Sequence, residues 1–179
     1  VFSKMKENQK DITVGVTDEN NRLQYQWKFN SDTITQPDMD IDLTISFDTD
    51  RENEVKEITG RDDLMYLSFS HHGALPGPAT IKTYVGNKYK DGDIVYLYYF
   101  NEEQNRVESV GGVNKGLVVK DGYVEYTITY CSLYFLSQDT AEIIKAVDPD
   151  TADNNGQVAD VADTAKDSAA TGDTTRVFL

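Results

Sequence analysis

Apolar and polar residues alternate along much of the chain. In "RLQYQWKFN", Leu23, Tyr25, Trp27 and Phe29 fall on one face, and Gln24, Gln26 and Lys28 on the other. That period of two predicts a half-buried strand with one wet face. "DITVGVT" precedes it across a hairpin turn at Asp18-Glu19-Asn20-Asn21. "DIDLTISFD" repeats the alternation, with Ile41, Leu43, Ile45 and Phe47 inward. Further strands are expected at "LMYLSFS", "ATIKTYVG", "IVYLYYFN", "RVESV", "GLVV", "YVEYTITY" and "SLYFLS". In "IVYLYYFN" both faces are apolar, which predicts a central strand covered on both sides. Asp121-Gly122 suits a tight hairpin.

Three short segments depart from this period. Residues 1–9 fit a short helix with Phe2 and Met5 turned inward. "DRENEVKEITG" fits another: Asp50 can cap it, Glu52 and Glu54 suit its positive first turn, and Gly60 suits its C-terminal stop. "DTAEIIKAV" (139–147) fits a third, with Asp139 and Glu142 spaced as a capping box. The strand spacing predicts an all-β fold over 1–138, an immunoglobulin-like β-sandwich of about nine strands with one to three short helices. Residues 148–170 lose periodicity and run to Asp, Ala, Thr, Asn and Gly, the composition of a disordered acidic linker.

Charge and cysteine content narrow the partners. The formal net charge of −14 repels phosphate backbones and anionic lipid, so neither nucleic acid nor a membrane surface is an expected partner of the domain. Cys131 is the single cysteine, so no disulfide forms within the chain. No apolar run is long enough to span a bilayer. Val1-Phe2 at the start and Arg176-Val177-Phe178-Leu179 at the end read as cuts within a longer protein.

"ATGDTT" followed by apolar residues resembles the sorting signal of Gram-positive wall-anchored proteins, whose Pro-x-Thr-Gly core precedes a membrane helix. The resemblance implies that a sortase cuts between Thr171 and Gly172 and joins Thr171 to the cell wall. Residues 171–179 would then be the start of a truncated signal. The match is degenerate, because Ala169 stands where the pattern has Pro and Arg176 precedes the apolar residues. "YLYYFNEEQNRVESV" and "VKDGYVEYTITYCSLYFLS" resemble a β-rich repeat module of large clostridial-type surface and wall-anchored proteins, with Tyr130 where a His is frequent. "SFSHHGALPGPATI" resembles a strand junction of the same module. The resemblance implies an extracellular, wall-attached location and an architecture rather than a chemistry.

Few constellations suggest chemistry. Asp38, Asp40 and Asp42 in "PDMDIDL" invite a calcium site, but an EF-hand loop would need Gly where Leu43 stands and Glu where Thr49 stands. On an extended strand the three carboxylates simply face solvent. An irregular site drawing in Asp48 or Asp50 is the alternative. His71 and His72 would point to opposite faces of a strand, which suits hydrogen bonding at a strand end better than joint metal ligation. Cys131 lies in an aromatic strand and fits a small buried residue better than a nucleophile. No cofactor motif is present, and nothing calls for an enzyme.

The surplus of tyrosine is the most suggestive feature. Tyr96, Tyr98 and Phe100 share one face of a strand, with Tyr84 and Tyr89 upstream. Packed inward, these rings are core; left open, Tyr84, Tyr89, Tyr96 and Tyr98 would form a platform for a glycan or a surface protein. The expected function is therefore a non-catalytic structural or spacer module of a wall-anchored surface protein, with an adhesion module using an exposed Tyr patch as the alternative.

Overall fold

A computed structural model describes residues 1–111 and 115–140. In chain order the elements are α1 (Phe2–Glu7), β1 (Ile12–Thr17), β2 (Leu23–Phe29), a 3-10 turn (Ser31–Thr33), β3 (Ile45–Ser46), α2 (Glu52–Thr59), β4 (Met65–Tyr84), β5 (Ile94–Asn101), β6 (Arg106–Ser109), β7 (Leu117–Val118) and β8 (Tyr123–Ser137). The fold is all-β. Eight antiparallel strands form one open sheet in the order β1-β2-β4-β8-β5-β6, with β3 on β4 and β7 on β5. The helix expected at 139–147, apart from its first two residues, and the linker and sorting signal expected beyond it lie outside the described residues.

Two long strands organise the sheet. β4 and β8 pair along most of their length, but β4 carries extra residues in the middle. From Ser68↔Leu133 to Gly73↔Cys131, five steps of β4 face two of β8, and the same slip recurs from Ala74↔Tyr130 to Ala79↔Ile128. Such bulges bend a strand and let it pass from one layer to another. Gly73, with a φ of +111°, supplies a conformation in the first slip that L side chains rarely adopt. Beyond the bend, β1 and β2 extend one half of the sheet; before it, β3, β5 and β6 extend the other. The halves meet face to face where the Trp27 ring stands edge-on to Phe69 at 5.5 Å.

The main core fills the space between the halves, around Trp27, Phe29, Phe69, Ile81 and Leu136. A second core lies on the other side of β5 and β8, where Val55 of α2 covers Tyr98, Phe100, Leu133 and Phe135. This double cover explains why β5 is apolar on both faces. Among the described residues the first half has no such cover, and Gln24, Gln26 and Lys28 remain on its wet face as the alternation predicts.

Several expectations need correction. "LMYLSFS" and "ATIKTYVG" form one strand rather than two, and so do "YVEYTITY" and "SLYFLS". The bulges absorb the His-Gly-Pro stretch without ending β4, and with both mergers the ten expected segments become eight strands among the described residues. Of "DIDLTISFD" only Ile45–Ser46 pairs as a strand, although Ile41, Leu43 and Phe47 do pack inward. That segment is held by side chains instead: Trp27 Nε1 donates to the Leu43 carbonyl at 2.9 Å, and the Tyr25 hydroxyl accepts from Ile45 N at 3.2 Å. Asp50 does not cap α2; Arg51 stands at the cap position, and its N–H donates to Thr49 Oγ1. Gly60 does end the helix, in the left-handed conformation expected of it. The strand order is that of one folded sheet and does not by itself establish the immunoglobulin-like sandwich.

Candidate functional site

Among the described residues the core-facing side of β5 and β6 is not fully covered: Tyr99 and Glu108 are half-buried and Tyr130 beside them is exposed. At that margin Tyr99 pairs across strands with Tyr134 of β8 on one side and Glu108 of β6 on the other. Side chains directly opposite in a ladder share a face, so these three stand together. The Tyr99 and Tyr134 rings lie 5.5 Å apart, and Tyr134 is anchored to the core by an edge contact with Phe69 at 5.6 Å.

Tyr130 completes the group. It sits at the bend of β8, where the in–out alternation breaks and Thr129 and Tyr130 are exposed in succession. The residue is 47% exposed, yet its ring stands nearly perpendicular to that of Tyr99 at 6.4 Å. The Tyr134 hydroxyl donates to the Tyr130 carbonyl at 2.7 Å and fixes that backbone. Tyr130 is therefore an exposed ring on a rigid mount.

Tyr99 and Tyr130 divide two adjoining hollows. One, of about 330 Å³, is lined by Tyr99, Glu108, Ser109, Val110, Tyr130 and Tyr134. The other, of about 240 Å³, runs past His72, Asn101, Glu102, Glu103 and Ser132. Glu108 is oriented by Arg106 Nε at 2.8 Å and by Asn101 Nδ2 at 3.1 Å, both reaching the same oxygen. The Tyr99 hydroxyl is pushed above its ordinary pKa, first by burial and then by Tyr130 and Glu108, while a hydrogen bond with Ser132 works the other way. It stays protonated at neutral pH and can donate. The cleft thus offers two aromatic faces, carboxylate and amide acceptors, and hydroxyl donors.

The four expected tyrosines do not form such a platform. Tyr98 is fully buried under α2, stacked on Phe135 at 5.2 Å, with its hydroxyl donating to the Asp139 carbonyl. Tyr96 is half-buried against the same core. Tyr89 is buried between the halves, and its hydroxyl donates to the Leu136 carbonyl at 3.1 Å. Tyr84 lies apart from these, with Arg22 4.9 Å over its ring and Tyr123 edge-on at 5.4 Å. On β5 the even-numbered rings pack towards α2, whereas Tyr99 lies on the opposite face.

The other candidates resolve locally. Asp38 accepts from Ser3 Oγ, and Asp42 accepts from Thr44 N. The hydrogen bonds from the Thr44 side chain and backbone hold the Asp42 carboxyl below its usual range. The three aspartates do not converge, and no group of three potential ligands is placed to hold a metal among the described residues. His71 Nε2 lies 3.0 Å from the Ala74 carbonyl, within the bulge. Cys131 is fully buried, and burial pushes its thiol up to about 12, far from a thiolate at neutral pH.

Alternation continues through Tyr130, which shares its parity with Val124, Tyr126 and Ile128 and is therefore expected inward, so its exposure was not legible in the sequence. Nothing marked Tyr99 either. No family model, curated protein or solved structure matches the chain.

Proposed function

We propose that this chain is a non-catalytic binding module of a wall-anchored surface protein, and that it engages a glycan in the Tyr99–Tyr130 cleft. The observation that carries this reading is Tyr130: a large aromatic ring held half-exposed beside a second ring, with oriented polar groups on both sides. A sugar ring has apolar C–H faces and a rim of hydroxyls. Aromatic faces suit the first, and the Glu108 carboxylate and Asn101 amide suit the second. The acidic surface favours a neutral glycan over an anionic one.

The extracellular, wall-attached location rests on the resemblance of the chain's end to a sorting signal. The two packed half-sheets are the feature that best supports an immunoglobulin-like sandwich as the parent architecture. The spacer function and the binding function are compatible, since a module that stands off the wall can also carry a ligand site.

The test is a glycan array followed by calorimetric titration of the best neutral oligosaccharide. Wild-type protein is expected to bind, and Tyr130→Ala is expected to bind at least about tenfold more weakly with an unchanged circular dichroism spectrum. Equal binding by the variant, or no glycan bound at millimolar concentration, would leave the spacer function alone standing.

A further inference from the structure

The two end strands of the sheet are built differently. β6 has only four residues and carries Arg106 and Glu108, the charges that usually discourage a strand from pairing with another chain. β1 has six residues, Ile-Thr-Val-Gly-Val-Thr, with no charge and no proline. Among the described residues β2 is its sole strand partner, so the ladder groups on its far side are open. Its core-facing side chains are also under-covered: Ile12 and Val14 are half-buried, and Val16 is 37% exposed.

We infer that β1 is an edge for self-association, pairing antiparallel with β1 of a second copy about a twofold axis through Val14. The faces allow an axis through Thr13, Val14 or Gly15. Only the one through Val14 sets all three apolar residues against apolar partners, since the others put Val16 against Lys10 or Ile12 against Asp18. Opposite residues in an antiparallel ladder point to the same side, so pairing through Val14 sets Ile12 against Val16 and Val14 against Val14 on the core side. Thr13 meets Gly15 on the wet side, and no apolar residue is forced against a polar one. Shifting by one residue would set Val14 against Thr13 or Gly15 and mix the two faces.

Charge selects the same partner. Lys10 stands just before the strand beside Asp11, which accepts from Ser31 N. Asp18 and Glu19 lie in the turn just after the strand, where Arg22 pairs with Asp18 at 3.6 Å and leaves Glu19 as the acid for Lys10 to meet. In the twofold pairing Lys10 of each copy lies near the acidic turn of the other, twice over. Ile12, Val14 and Val16 of both copies would close the margin of the main core, and the sheet would continue through both molecules. An edge of six residues makes a small interface, so the dimer is weak and concentration-dependent. The Tyr99–Tyr130 cleft lies in the other half of the sheet, so two copies would present two clefts.

Sedimentation velocity over a concentration series up to about 1 mM tests association in this weak range. A monomer–dimer equilibrium is expected, and Val16→Lys and Lys10→Glu should each raise the dimer Kd about tenfold or more. The register is read by oxidation of Val14→Cys. Its Cα atoms would sit about 4.5–5.5 Å apart across the axis, within disulfide range. A covalent dimer is expected from Val14→Cys and not from Thr13→Cys, while buried Cys131 stays reduced in both. A dimer that survives both charge-bearing variants uses another surface and overturns the inference. So does a chain that remains monomeric and fails to cross-link through Val14→Cys, in which case a strand of a different protein becomes the candidate for that edge.

Discussion

Tyr98 and Tyr99 are neighbours on one strand with opposite fates. Tyr98 faces α2, is fully buried and stacks on Phe135. Tyr99 faces the open margin between the half-sheets and shares a cleft wall with the half-exposed Tyr130. Under the proposed function, two adjacent residues of the same type divide stability from recognition. Neither side chain differs in chemistry; what differs is the layer each one meets.

The comparison breaks most sharply by truncation on the covered side. Tyr98→Ala removes a fully buried ring and is expected to cost about 3–5 kcal/mol, read as a lower urea midpoint. Tyr99→Ala should cost much less stability, about 1–2 kcal/mol, because its ring is partly exposed. It should instead weaken glycan binding about tenfold or more, measured by titration. If both variants lost stability equally, the distinction between the two faces of β5 would fall.

Alkaline titration gives a second contrast. Burial, with Glu52 adding to it, pushes the Tyr66 hydroxyl up to about 12, and Tyr98 is also raised, by burial first and by Tyr96 and Asp139 after it. An unfolded tyrosine ionises near 10. Between those values the unfolded chain has lost protons that the folded chain keeps, so stability falls as pH rises. Thermal melting should therefore be insensitive to these groups at neutral pH and drop progressively from about pH 10 towards pH 12. A flat melting temperature across that window would contradict the burial of these rings.

Smaller effects sharpen the picture. Tyr134→Phe removes the hydroxyl that holds the Tyr130 carbonyl at 2.7 Å. It is expected to cost about 1 kcal/mol of stability and to weaken binding a few-fold, because Tyr130 loses its mount. Tyr66→Phe should have the smallest effect and the opposite sign. The Tyr66 hydroxyl is buried without a hydrogen-bond partner among the described residues, so its removal is expected to be neutral or stabilising by up to about 1 kcal/mol. A clear loss on Tyr66→Phe would indicate a partner for that hydroxyl.

Much of the local structure was legible from the residues. Phe2 and Met5 turn inward on α1, Gly60 stops α2 in the left-handed conformation, and Trp27 and Phe29 sit in the core face of β2. Each follows from a side chain's solvation or a backbone's steric limits, and these act within a few residues. The apolar pattern of β5 also foretold its cover on both sides. What it withheld was which side is incomplete, because tyrosine suits a covered face and a rim equally well.

Local pattern by itself determined an all-β chain, the wet face of its first half, and the inward packing of Ile41, Leu43, Ile45 and Phe47. Tertiary structure alone decided that β4 and β8 run through both halves, that α2 lies over Tyr98, and that Tyr99 and Tyr130 meet at an opening. Local alternation reports whether a residue is to be shielded from water, and that preference is a property of the residue. Which neighbour does the shielding depends on contacts distant in the chain, and the bulges in β4 that set those contacts have no strict sequence period.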